Sequence, residues 1–180
     1  MKILRKSRPG NRGFTLVEVM VAAGLGVVVL GAILSAFIAG SLNFASTGNY
    51  IDLNRKSLWA LDQMTRDIRQ AINLQTFATN QLVFLDDNSN QLTYAWSPNT
   101  RKLTRTSGGA TQVLLKDCDY LAFDIAQRNP NTDGTYGFFP ATNNPAICKL
   151  VSVSWRCSRS VLGKTMNTEN VQTAKIVMRN

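Results

Sequence analysis

Three groups of residues in this chain have types and spacings suited to chemistry. Glu18 is the only charge between Phe14 and Gly40, in a run that is otherwise almost wholly apolar. A carboxylate inside such a run costs about 2.5–3.5 kcal/mol near the middle of a membrane helix and less near its edge, so such a residue usually has a function. Gly13-Phe14 is a small-residue/aromatic junction that lies before the apolar run, on the opposite side from the cleavage site of an ordinary secretory signal. Cys118, Cys148 and Cys157 are the only thiols, and an odd number leaves one unpaired if two of them join.

Other chemistries find no residues to carry them. The chain has no His, which removes the commonest metal ligand and general base and excludes Ser-His and Cys-His mechanisms. Asn129-Pro130-Asn131-Thr132-Asp133-Gly134 has the alternating oxygens of a calcium loop, but Pro140 stands where the bidentate Glu should be. Asp86, Asn88 and Asn90 form a similar fragment, and both stretches read as turns. No catalytic residue, metal or cofactor is expected, and the chain does not read as an enzyme. The formal charge is +9, of which Lys2, Arg5, Lys6, Arg8 and Arg12 supply +5. The remaining Lys and Arg are scattered among acids, so nucleic acid is not an expected partner.

The element that must hold Glu18 is a helix. Residues 14–40 would span about 40 Å at ~1.5 Å per residue, more than the ~30 Å of a bilayer's hydrocarbon. The basic residues precede the span and stay inside, which puts the rest of the chain outside. Residues 1–13 then form a basic leader, 14–40 an apolar transmembrane or fibre-core helix, 41–75 an amphipathic continuation, and 81–180 an outer β-rich domain.

Gly13-Phe14-Thr15-Leu16-Val17-Glu18, behind a short basic leader and ahead of a long apolar run, resembles the cleavage and methylation signal of type IV pilins and of type II secretion pseudopilins. The resemblance implies that a prepilin peptidase cuts between Gly13 and Phe14 and methylates the new amine of Phe14. It also implies that Glu18 meets the N-terminal amine of a neighbouring pilin or pseudopilin subunit during assembly. The other partners implied are an inner-membrane assembly platform and the membrane itself, with the C-terminal domain in the periplasm before incorporation into a pilus or pseudopilus. Major pilins of the family usually carry a bending Pro late in the span, and Leu34-Ser35-Ala36 has none. This departure favours a minor subunit, near the tip or in the initiating complex. Residues 58–71, LWALDQMTRDIRQA, resemble the matching helix of J-type minor pseudopilins and W-type minor pilins.

Beyond Gly40, Leu58, Leu61, Thr65, Ile68 and Ile72 recur at spacings of three and four, so helix is expected to about Leu74, either continuous or interrupted near Thr47-Gly48-Asn49. Asp62 and Arg66 form an i, i+4 pair, while Arg66, Asp67 and Arg69 read as a solvated face. From Gln81 the period becomes two. Leu82–Leu85 and Leu92–Trp96 read as a hairpin, followed by short strands around Leu103 and Val113–Leu115 and turns at Ser97-Pro98-Asn99-Thr100 and Ser107-Gly108-Gly109. Longer strands are expected at Tyr120–Ala126 and Ile147–Cys157 around a polar loop from Arg128 to Pro145. Val171–Met178 is either a last strand or a loose tail. A helix stripe and a one-faced sheet cover each other, giving an α+β class with the long helix laid on an antiparallel sheet, the architecture that the resemblance also implies.

An exported domain would place the cysteines in an oxidising space. Cys148 and Cys157, nine residues apart in one extended strand, lie about 30 Å from each other. Cys118 would sit near the far end of the antiparallel partner strand, close to Cys157, so Cys118 and Cys157 are the preferred disulfide. Against it, aligning Leu121, Phe123 and Ile125 with Val151, Val153 and Trp155 turns the two thiols to opposite faces.

Overall fold

The computed structural model describes residues 13–86, 90–130, 139–141, 144–163 and 168–179. Residues 1–12 of the leader, Asn88, and Asn131 to Gly134 of the calcium-like stretch fall outside these residues. The chain divides into two compact units, Met1–Asn43 and Phe44–Asn180.

Helix α1, Leu16–Gln70, is 55 residues long and enters both units. It is continuous through Thr47-Gly48-Asn49, where the sequence leaves an interruption open. One glycine costs about 1 kcal/mol in a helix, too little to break a ladder whose Ser46 and Leu53 are buried on either side. In the first unit, every described residue from Gly13 to Gly40 is exposed within the chain. The helix is long and apolar enough to cross a membrane, with a mean hydropathy of 2.5 in its most apolar window. Its backbone groups bond within the helix, which is the condition for a segment to enter hydrocarbon.

In the second unit α1 packs on two antiparallel sheets rather than one. Strands β1 (Asn73–Ala78), β2 (Gln81–Leu85), β3 (Gln91–Ser97), β4 (Lys102–Ser107) and β5 (Ala110–Leu115) form a five-stranded meander in chain order. Strands β6 (Cys118–Gln127), β7 (Phe139–Pro140), β8 (Leu150–Ser158) and β9 (Glu169–Val177) form the other sheet in the order β7-β6-β8-β9. The α+β class is as expected. The C-terminal segment is a strand, paired with β8 along its whole length.

Three differences from expectation have physical causes. The helix stops at Gln70 because the backbone changes partner there: Ala71 N–H still bonds the Asp67 carbonyl at 3.0 Å, but Ile72 N–H bonds Leu85 at 2.9 Å. Leu74 therefore belongs to β1, a strand hidden in sequence behind the helix period. Second, the buried helix face is Ser46, Leu53, Ser57, Ala60, Met64 and Ile68. Leu58 of the expected stripe is exposed, since the face turned to the sheets runs through the small Ser57 and Ala60, and Ile72, past the helix end, is exposed as well. Third, Ile147 sits in a 3-10 turn, Pro145–Ile147, and is 41% exposed, so β8 begins at Leu150 and Cys148 lies outside the strand.

Turn chemistry matches the sequence more closely. Gly108 and Gly109 take φ of 57° and 80° between β4 and β5, the two positive angles that a type I′ hairpin turn needs. Asp86 caps its own turn, accepting the Asn90 backbone N–H at 2.8 Å. The core is one cluster in which Trp155, Tyr94, Phe84 and Phe123 are the largest fully buried side chains.

Candidate functional site

The segment around Gly13, Phe14 and Glu18 is organised by a helix cap. Thr15 Oγ accepts the backbone N–H of Glu18 at 3.2 Å, and the Thr15 carbonyl accepts that of Val19 at 3.2 Å. Thr15 is therefore the N-cap and Glu18 the third helical residue, the Thr-x-x-Glu spacing of a capping box. Two consequences follow for the site. The Gly13–Phe14 peptide bond lies just outside the helix, in non-helical backbone where a protease can take it extended. The carboxylate of Glu18 lies in the first turn, where the helix dipole favours negative charge by about 0.3–1 kcal/mol.

Past Glu18 no charged residue occurs before Asp52. Ser35 and Ser41 turn their hydroxyls back onto the Gly31 and Phe37 carbonyls, each at 2.9 Å, so neither carries an unmet donor into an apolar medium. At Gly24, Gly26, Gly31 and Gly40 an added Cβ would meet nothing within 4 Å. Packing inside this chain does not require those glycines. Small residues there fit close approach by another helix, as in apolar media where van der Waals contact drives association.

In the second unit, polar side chains of α1 fasten it to both sheets. Asp67, read from sequence as part of a solvated face, is only 10% exposed and accepts Arg105 Nε at 2.6 Å. The same carboxylate oxygen accepts the Tyr94 hydroxyl at 2.5 Å. Burial first, and then the hydrogen bond to Asp67, push the Tyr94 phenol well above its ordinary range. Asp62 and Arg66 pair at 3.0 Å, on solvent, as expected. On the other sheet, Ser57 Oγ accepts Trp155 Nε1 at 3.2 Å in a fully buried contact. The amide of Asn170 donates to Asn54 at 3.1 Å.

A charged clasp closes the end of the second sheet. Arg159 bridges Asp52 of α1 and Asp117, at 2.7 Å each, while Arg101 pairs with Asp119 and donates to the Ser158 carbonyl at 3.0 Å. The Lys56 ammonium, 2.8 Å away, and then the Arg159 guanidinium hold the Asp52 carboxyl down to about 2. An open cleft of about 640 Å³ beside the clasp is lined by Arg101, Arg156, Arg159, Asp117, Asp119 and Glu169 among others. Its charges of both signs largely neutralise one another, which suits a structural tie better than a ligand site.

The two thiols singled out from sequence meet. Cys118 and Cys157 are directly opposite in the β6–β8 ladder, and all three cysteines are buried free thiols. Leu121, Phe123 and Ile125 do face Trp155, Val153 and Val151, the alignment that should have separated the thiols. A register shift between Cys118 and Tyr120 reverses the parity: Asp119 is the extra residue of a bulge, and Cys118 turns back into the core. Cys118 Sγ donates to the Tyr120 carbonyl at 3.2 Å; the facing Cys157, and then burial, raise the Cys118 thiol, while the facing Cys118 lowers Cys157. Burial pushes Cys148 up to about 11. It lies past the opposite end of β6, where Ala126 pairs with Leu150, about 25 Å from Cys118 along the strand.

Sequence reasoning overlooked Thr15, although Thr-x-x-Glu before an apolar run is a readable cap. It also overlooked Asp67, Ser57 and the clasp, whose partners lie far away in sequence. Among known proteins, residues 8–38 match the model of the prokaryotic N-terminal methylation motif. The match contains Gly13, Phe14 and Glu18 and ends two residues before Gly40. No curated protein matches the chain.

Proposed function

We propose that this chain is a minor pilin or pseudopilin, cut by a prepilin peptidase between Gly13 and Phe14 and assembled through its N-terminal helix into a type IV pilus or a type II secretion pseudopilus. Its place is near the tip or in the initiating complex, a reading supported by the absence of a Pro that would bend the span. The work is assembly, with no catalytic step of the chain's own. Before assembly it is a single-pass inner-membrane protein with its folded unit in the periplasm.

The observation that carries this reading is the position of Glu18. It is the single charge in a charge-free stretch reaching to Asp52, and it sits one turn from the Gly13–Phe14 bond within a matched methylation motif. Cleavage leaves the Phe14 amine one residue before the cap, at the positive end of the helix dipole, where a cation is disfavoured. A carboxylate from the same position of a neighbouring subunit relieves that cost and its own desolvation together. Methylation of the amine keeps its charge.

Intact mass and N-terminal sequencing of the mature protein test the processing step. The expected first residue is N-methylated Phe14; retention of residues 1–13 in peptidase-competent cells overturns the reading, as does cleavage after the apolar run. Glu18→Ala tests the assembly step, with membrane insertion kept and incorporation into the fibre lost. A variant that still functions without Glu18 points instead to a membrane-anchored binding or enzymatic domain that does not polymerise.

A further inference from the structure

We propose that Cys118 and Cys157 close an intramolecular disulfide that staples β6 to β8, and that Cys148 stays a thiol. Directly opposed residues of an antiparallel pair have Cα atoms about 4.5–5.5 Å apart, inside the roughly 4.4–6.8 Å window of disulfides. The bulge at Asp119 turns both side chains to the same face, where both are buried. The ladder pairing therefore places the two within the reach of a disulfide. Cys148, about 25 Å away beyond the Ala126–Leu150 pair, reaches neither.

The chemistry needs an oxidant of the disulfide class, such as oxidised glutathione. The Cys157 thiolate attacks one sulfur of the oxidant and expels one thiolate, leaving a mixed disulfide on Cys157. The Cys118 sulfur then gives up its proton, attacks the Cys157 sulfur and expels the second thiol. Two electrons and two protons pass to the oxidant, and one S–S bond remains in the protein.

Burial sets when this happens. Cys118 is 0% and Cys157 1% exposed, so a protein-sized oxidant reaches them only before the sheet has closed or when it opens. A small disulfide reagent should react slowly with the folded protein and many times faster as urea opens it. The bond closes a loop of about 40 residues, which in the chain-entropy account makes the unfolding equilibrium about two to three orders of magnitude less favourable than in the reduced protein.

The test uses the full chain, purified in detergent under reductant, exchanged into oxidised glutathione in urea that opens the sheets, and then returned to native buffer with the oxidant still present. Free thiols are then alkylated and the protein is digested with trypsin. The expected product joins peptide 117–128 to peptide 157–159, with Cys148 alkylated in peptide 129–149. Linkage of Cys148 to either partner, disulfides between chains, or alkylation of both Cys118 and Cys157 overturns the proposal. Cys148→Ser should leave the link and the reductant-dependent shift in the unfolding midpoint unchanged. None of these outcomes depends on fibre assembly, so failure here leaves the proposed function standing.

Discussion

Replacing Asp67 should reveal how firmly the helix is fastened to the first sheet. One carboxylate oxygen receives Arg105 Nε at 2.6 Å and the Tyr94 hydroxyl at 2.5 Å, and the other receives Gln63 Nε2 at 3.1 Å. Tyr94 is fully buried, and the Asp67 and Arg105 side chains are 10% and 21% exposed. Hydrogen bonds to a charged group contribute about 1.5–3 kcal/mol each, and removing one partner of a buried pair costs about 3–5 kcal/mol because the other is left uncompensated. Asp67→Ala should therefore lose about 3–5 kcal/mol, a large share of the roughly 5–15 kcal/mol that holds a domain folded. At an m-value of about 2 kcal/mol/M, the urea midpoint falls by about 2 M. Fluorescence from the buried Trp155 reports the transition. Arg105→Met keeps the length of the side chain without its charge and should cost less. The double variant should then be less destabilised than the two single losses added together, by 1 kcal/mol or more, since neither charge remains to be stranded. Additivity within about 0.3–0.5 kcal/mol would mean that the two residues do not act as a pair and would refute the reasoning.

Two further outcomes concern the second sheet. The Asp52 carboxyl, held down to about 2 from an ordinary 3.8, stabilises the fold fully above its unfolded value, and this contribution is lost as pH falls from about 5 through 2. Discounted for a side chain that is 28% exposed, the effect is about 1–2 kcal/mol. The stability gap between the wild type and Asp52→Asn, measured by urea unfolding across that range, should close towards pH 2 and stay constant above pH 5. Ser57→Ala leaves the buried Trp155 N–H without an acceptor and should cost about 1–3 kcal/mol, with a shift in tryptophan emission; an unchanged midpoint would show that the contact contributes nothing.

What the sequence made legible is what is local in it. Gly13, Phe14 and Glu18 lie within one short stretch, and the apolar run after them announces a helix by length and composition alone. The hairpin at residues 82–96 and the Gly108-Gly109 turn were equally plain, since period two and positive φ leave their marks in residue type. Strand β1 was not, because Leu74 continues the spacing of the preceding helix and only the bond from Ile72 to Leu85 decides otherwise. The helix face was misplaced by the assumption that large apolar residues mark it. Ser57 and Ala60 are buried instead, and Leu58 faces out. Asp67 has the composition of a surface residue and acquires its role from Arg105, 38 positions away. Asp52 and Arg159 are separated by 107. The cysteine pair was legible in outline, but its parity was not, since a single extra residue at Asp119 reverses it and no local signal announces the bulge.

The bonds of Ser35 and Ser41 bear on how a neighbour would be chosen. They are the only polar side chains between Val19 and Leu42, and each spends its single proton on a carbonyl of its own helix. An approaching helix therefore finds no hydrogen-bond donor along this length, only relief: hollows at the glycines, ridges at Leu30 and Phe37. Relief of this kind tolerates many companions of similar contour, while a polar code rejects all but a few. Discrimination between one companion and another then falls to surfaces beyond residue 43, where charge and shape both vary.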